Sequence, residues 1–184
     1  SRRSGHHRPR TGGPQRSVSD QKLITLVIGV ITSLVAGWLG YDNTASVTAE
    51  RMQGRVIAVS DGDTLTLLVG VQEHRIRLGG VDAPESDQAH GTRSRATLAS
   101  LCLGRQADIA VEDRDRYGRT VGQVRCGDTD VNAELVRRGD AWVYRAYNKH
   151  PELEDLERSA KASRRGLWAQ SRPTPPWEWR QDKR

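Results

Sequence analysis

Apolar and polar positions change rhythm several times along this chain. From Met52 to Ser60, Val56, Ile57 and Val59 stand among polar residues and predict a strand. Asp61-Gly62 reads as a tight hairpin turn. Thr64 to Val69, rich in Thr, Leu and Val, predicts a second strand. Glu73 to Leu78 alternates His74, Ile76 and Leu78 against Glu73, Arg75 and Arg77, a period of two, and Gly79-Gly80 ends it. From Thr92 to Leu103 the spacing turns helical. Ala96, Leu98, Ala99, Leu101 and Cys102 crowd one broad side, and Gly104 stops the helix. Gln106–Val111 and Thr120–Arg125 predict two more strands, joined by a charged turn over 112–118. Asp130 is placed to cap a short helix, Val131 to Arg138, closed by Gly139. Trp142-Val143-Tyr144 is a short extended piece. Pro151 starts a last helix that carries Glu152 and Glu154 in its first turn and stops at Gly166. Five strands, one helix after the third and two after the fifth predict a mainly β fold with α. The expected architecture is a five-stranded OB-fold barrel with three packed helices.

The first fifty residues follow a different pattern. Residues 1–22 are rich in Arg, Gly, Pro, Ser and His and read as a basic disordered tail. Leu23 to Tyr41 then runs nineteen residues without a charge, enough for one N-terminal transmembrane or signal helix. Two outcomes share this pattern: an uncleaved anchor, or a signal peptide cut near Val47-Thr48-Ala49. Length favours the anchor. With a basic flank first, the chain beyond the segment is expected to cross. The folded part is then membrane-anchored facing the extracytoplasmic side, or secreted or periplasmic after cleavage. Residues 42–51 read as a linker, 52–170 as the folded domain and 171–184 as a Pro/Trp-rich tail.

Charge follows the same division. The chain carries a net +6, but residues 52–184 hold 22 Lys/Arg against 20 Asp/Glu, a net of +2. The global basicity therefore belongs to the flank, not to a nucleic-acid footprint on the domain. The chain has no Phe, so the core is expected from Val, Leu, Ile and Ala, with Trp and Tyr at its edges. Cys102 and Cys126 are an even count in an exported segment; a disulfide and two buried thiols both fit that count. His74, His90 and His150 have no ligand spacing and read as surface residues.

Two acidic segments carry the chemistry. They are Asp61-Gly62-Asp63-Thr64 and Val81-Asp82-Ala83-Pro84-Glu85, with Arg77 just before the second and Tyr117-Gly118-Arg119 downstream. Carboxylates can hold a hard cation and poise a water. Arginine forks can grip a phosphate and absorb charge that grows on it. Together they suit metal-assisted attack on a phosphodiester. Each motif alone is weak, since Asp-Gly-Asp-Thr occurs in many hairpins.

The motifs in order, continued by Asp115-Arg116-Tyr117-Gly118-Arg119 and by Asn132-Ala133-Glu134-Leu135-Val136-Arg137-Arg138-Gly139, resemble the staphylococcal nuclease (thermonuclease) family. The resemblance covers about residues 52–170. It implies a calcium-dependent nuclease that hydrolyses DNA and RNA and leaves 3′-phosphate ends. It implies that Asp63 and Asp82 ligate Ca²⁺, that Ala83 offers its backbone carbonyl, and that Asp61 stands near the ion. It further implies that Glu85 activates or orients the attacking water, that Arg77 and Arg119 bind the scissile phosphate, and that Arg116 and Tyr117 touch a second phosphate. The archetype has Thr at the position of Ala83, a change that a main-chain ligand survives. The stretch Ser86 to Arg95 is shorter than in the archetype. The rival reading is a membrane-tethered, non-catalytic OB-fold module that binds nucleic acid. A glutamate beside the phosphate argues against it, because that charge would repel the ligand.

Overall fold

The computed structural model describes residues 50–183. The basic tail and the apolar segment 23–41 lie outside the described residues, as does the linker apart from Glu50 and Arg51. Strands β1 (Arg51–Val59), β2 (Thr64–Val69) and β3 (Gln72–Leu78) form an antiparallel meander. Alternation decides which face turns inward. In β3, Ile76 and Leu78 are buried while Glu73 and Arg75 are exposed. Strand β4 (Val81–Asp82) is a two-residue piece. Strands β5 (Gln106–Arg114) and β6 (Thr120–Cys126) pair with each other, and β5 also pairs with β1. A parallel contact between β3 and β6 then closes the barrel, setting Ile76 opposite Thr120 and Arg77 opposite Val121. The order round the sheet is β3-β2-β1-β5-β6, and the short β7 (Thr129–Asp130) extends β6 at the edge. Val56, Leu65, Leu67, Ile76, Ile109 and Val124 fill the interior. The expected five-stranded barrel is present.

Helix α1 (Gly91–Cys102) buries a narrower stripe than its sequence suggested. Gly91, Ser94, Leu98 and Cys102 face inward, whereas Ala96 is exposed. A serine can sit in that stripe because its hydroxyl donates to the Asp140 carbonyl at 2.6 Å. Helix α2 (Val131–Arg138) follows expectation. Asp130 accepts from the Ala133 amide at 3.0 Å, and Gly139 takes the left-handed conformation, φ +73°, at its end. Strand β8 (Trp142–Val143) pairs with β4, setting Asp82 opposite Trp142. Helix α3 (Glu152–Ala162) sends Glu157 inward. That carboxylate accepts from the Val143 amide at 3.0 Å and meets Arg145 and Lys161. Burial alone would raise its pKa, but these three partners outweigh burial and hold it below the ordinary range. A 3-10 turn, Gly166–Ala169, brings in Leu167 and Trp168.

Two features of the second half were open or different in the sequence. Cys102 at the end of α1 and Cys126 at the end of β6 are joined as a disulfide, with Cα atoms 5.5 Å apart and both residues in the core. The segment 171–184 is not only a tail. Pro176–Asp182 forms a further helix, α4, so the barrel carries four helices among the described residues and not three. Pro176 supplies the preset φ of a first helical position, a signal that the proline-rich composition masked. None of the helices among the described residues is long and apolar enough to cross a membrane.

Candidate active site

The site begins in the bend between β1 and β2. Asp61 accepts from the Asp63 amide at 3.1 Å, which turns the chain, while the Ser60 amide donates to the Thr64 carbonyl at 2.9 Å. Only glycine fits between these aspartates. A Cβ on Gly62 would stand 2.6 Å from the Ala83 Cβ and 2.7 Å from the Ser94 Cβ. That close approach brings the first acidic segment onto the second. Asp63 Oδ2 accepts from the Ala83 amide at 2.7 Å, and Oδ1 accepts from the Thr64 hydroxyl at 3.1 Å.

Arg77 is the hub of the pocket. It pairs with Thr64 across β2–β3, which places it beside Asp63. Its Nη1 donates to the carbonyls of Val81 (2.9 Å) and Leu78 (3.1 Å) and lies 3.1 Å from Asp63 Oδ2. Its Nη2 donates to Asp82 Oδ1 at 2.8 Å. Only 14% of the side chain is exposed, so this cation is fixed between two buried carboxylates. Asp63 nonetheless remains short of positive charge. Burial pushes its carboxyl up to about 7; Arg77 opposes that, and Asp61 and Asp82 add to it.

Glu85 follows Asp82 by three residues, and its backbone is pinned. Its amide donates to Gln88 Oε1 at 3.1 Å, and Gly91 packs so closely that a Cβ there would lie 1.8 Å from the Glu85 carbonyl oxygen. Arg119 reaches the same cavity from the 115–119 turn. Its Nε donates to Asp115 Oδ2 at 2.6 Å, and its guanidinium sits 5.6 Å from the Tyr117 ring. Burial would raise the Asp115 carboxyl, but the amides of Arg119 and Tyr117 and the Arg119 fork bring it below its ordinary value. Arg116 lies over the same tyrosine at 5.0 Å, and the Tyr117 ring is two-thirds exposed.

All of these side chains meet. Asp61, Asp63, Arg77, Asp82, Ala83, Glu85, Arg116, Tyr117 and Arg119 line one open cavity of about 710 Å³. Among the described residues, no group of three or more His, Cys, Asp or Glu side chains is placed to hold a metal ion. Two histidines differ from their surface reading: His90 is nearly buried against Asp140 at 2.6 Å, and His150 contacts Glu112. Both brace loops and neither lines the cavity.

The wall built by α4 was not among the predicted elements. Trp177 stacks on Tyr144, with ring centroids 5.5 Å apart and planes 8° apart, and meets Trp142 edge-on. One turn later Arg180 donates to Asp82 Oδ2 and to Glu85 Oε1, both at 2.7 Å. The usable signal was the i, i+3 spacing of Trp177 and Arg180 behind a proline pair, which puts both on one helix face.

A small closed barrel with an acid-and-arginine cavity defines the class. A family model described as staphylococcal nuclease homologue matches residues 75–170. The chain is 44% identical over 133 residues to an uncharacterized endonuclease of Escherichia coli O157:H7, covering 72% of this chain and 87% of that one. It is 39% identical over 139 residues to a micrococcal nuclease of Shigella flexneri, covering 70% and 80%. It is 45% identical over 113 residues to a probable staphylococcal-like nuclease of Oryza sativa subsp. japonica, covering 61% of this chain and 34% of that longer protein. The chain belongs to the staphylococcal nuclease family.

Proposed function

We propose that this hydrolase of the nuclease class cleaves phosphodiester bonds of DNA and RNA in a calcium-dependent reaction. Glu85 serves as proton acceptor for the attacking water, and Arg77 and Arg119 serve as the phosphate clamp. The observation that carries this reading is the convergence of Asp63, Arg77, Asp82, Glu85 and Arg119 on one cavity.

The donors present suit calcium. They are oxygens only, the site is open to water, and burial leaves Asp63 short of a positive neighbour even beside Arg77. Asp63 and Asp82, with the Ala83 main-chain carbonyl, would hold the ion. When bound, it supplies Lewis-acid charge and makes its coordinated water more acidic. The protein's own groups do the rest. Arg77, anchored by two main-chain carbonyls, presents a fixed fork to the phosphate. Arg119, held from behind by Asp115, approaches from a separate turn and leaves the line of attack open. Glu85 takes the proton of the incoming water. Arg116 and the exposed Tyr117 ring receive the neighbouring nucleotide. A module that only binds nucleic acid has no use for a carboxylate at that point.

The test is digestion of single- and double-stranded DNA and of RNA by the purified protein, with calcium and with excess chelator. Cleavage is expected with calcium alone. Glu85→Gln is expected to lower kcat by about 100-fold or more while the protein still binds an oligonucleotide. Full cleavage in chelator would remove the ion from the mechanism, and near-normal turnover by the Gln variant would remove Glu85.

A further inference from the structure

Three of the carboxylates that line the cavity, Asp63, Asp82 and Glu85, have two guanidiniums placed between them. Arg77 bridges Asp63 and Asp82, and Arg180 bridges Asp82 and Glu85. The charges therefore alternate in a row: Asp63, Arg77, Asp82, Arg180, Glu85. We propose that Arg180 is a positioning residue of the active site, which holds the Glu85 carboxylate by one oxygen and leaves the other for the water. This inference rests on the role given to Glu85 above.

Arg180 Nη1 lies 2.7 Å from Glu85 Oε1 and 3.2 Å from Asp82 Oδ1, while its Nη2 lies 2.7 Å from Asp82 Oδ2. Arg77 and Arg180 share Asp82 Oδ1, and Arg180 takes one position on Oδ2, so the fork is seated on a buried carboxylate while Oδ2 keeps one lone pair for the ion proposed above. Among the described residues, Glu85 Oε1 has Arg180 as its one side-chain partner, and Oε2 has none. A glutamate on a loop with a third of its side chain exposed samples several rotamers unless something holds it. Arg180 is what holds it.

The helix that carries the arginine is tied to the loop that carries Glu85, which fits a positioning role. Gln88 staples the two segments together. Its Oε1 accepts from the Glu85 amide at 3.1 Å, and its Nε2 donates to the Thr174 carbonyl at 2.6 Å. Asp87 meets Trp179 Nε1 at 3.3 Å and also pairs with Lys183. Trp177 stacks on Tyr144. The loop carrying Glu85 and the segment carrying Arg180 are therefore joined at Gln88 and at Asp87.

The experiment compares the full chain with Arg180→Gln, Arg180→Lys, Glu85→Gln and the double variant Glu85→Gln/Arg180→Gln on a single-stranded DNA oligonucleotide in calcium. Arg180→Gln is expected to lower kcat by up to about 100-fold with KM unchanged, the cost of a misplaced reacting group. Arg180→Lys should recover part of the loss. The double variant should be no slower than Glu85→Gln, because Arg180 acts through that carboxylate. In calcium-free protein, ¹³C relaxation of the Glu85 side chain should show restraint in the wild type and mobility in Arg180→Gln. Wild-type or higher activity in Arg180→Gln would overturn the proposal, the higher value marking a plug. A raised KM with kcat unchanged would overturn it too, as would additive losses in the double variant. If Glu85→Gln turns over normally, the role of Glu85 falls first and takes this inference with it.

Discussion

Asp63, a residue of the proposed calcium site, ties stability to pH. Burial pushes it up to about 7, against 3.8 in a free chain. Between those values the folded protein keeps a proton that the unfolded chain has released. The Asp63 contribution to the stability of the metal-free protein therefore falls as pH rises through about 4 to 7, and its full penalty remains above 7. Metal-free Asp63→Asn is accordingly expected to melt higher than the wild type at pH 8 and no higher at pH 4. Calcium should raise the wild-type melting temperature more at pH 8 than at pH 5. Thermal melts across that range check both. A metal-free wild type that gains stability relative to Asp63→Asn from pH 4 to 8 would contradict the assignment. Asp63, Arg77, Asp82 and Glu85 could all be picked out in the sequence, because each sits in a short motif whose residue types already name a chemistry. Arg180 could not. It stands in a polar run beside Gln181, Asp182 and Lys183, and its partners are 98 and 95 residues away. Its one local signal, the i, i+3 spacing from Trp177, puts it on a helix face but names no partner.

The elements were legible in proportion to their periodicity. The alternation in β3 and the capped span of α2 announced themselves, since burial on one face and a cap at each end leave marks in adjacent residues. The stripe of α1 was misjudged because hydroxyl burial depends on a carbonyl, that of Asp140, from a remote loop. The helix at Pro176–Asp182 was missed because its docking depends on Tyr144 and Trp142, not on its own pattern. The bridge between α1 and β6 closes a loop with a sequence separation of 24. Replacing both cysteines with Ala is expected to cost about 3.5 kcal/mol in urea unfolding. Activity of the folded fraction should persist, since neither sulfur lines the cavity. A loss below about 1 kcal/mol would mean that the unfolded chain is constrained in some other way.

Over the whole molecule, the domain is nearly neutral, and its positive charge toward a phosphate chain is concentrated in a few guanidiniums of the cavity. Binding is therefore expected to depend only modestly on salt. Arg77, Arg116 and Arg119 together predict a slope of about −2 to −3 in log affinity against log salt. Fluorescence anisotropy of an oligonucleotide on the Glu85→Gln variant measures it. A slope near −6 would mean that a wider basic surface takes part. The parallel seam between β3 and β6 has a further consequence. It sets Arg77 opposite Val121, two positions past Arg119, so shutting the cylinder also brings the stretches that carry Arg77 and Arg119 side by side. Such a junction between remote parts of the chain carries a large loop-closure cost and belongs late in folding. Warming that parts this junction should silence the enzyme while the meander still holds, so inactivation should come before melting and reverse on cooling.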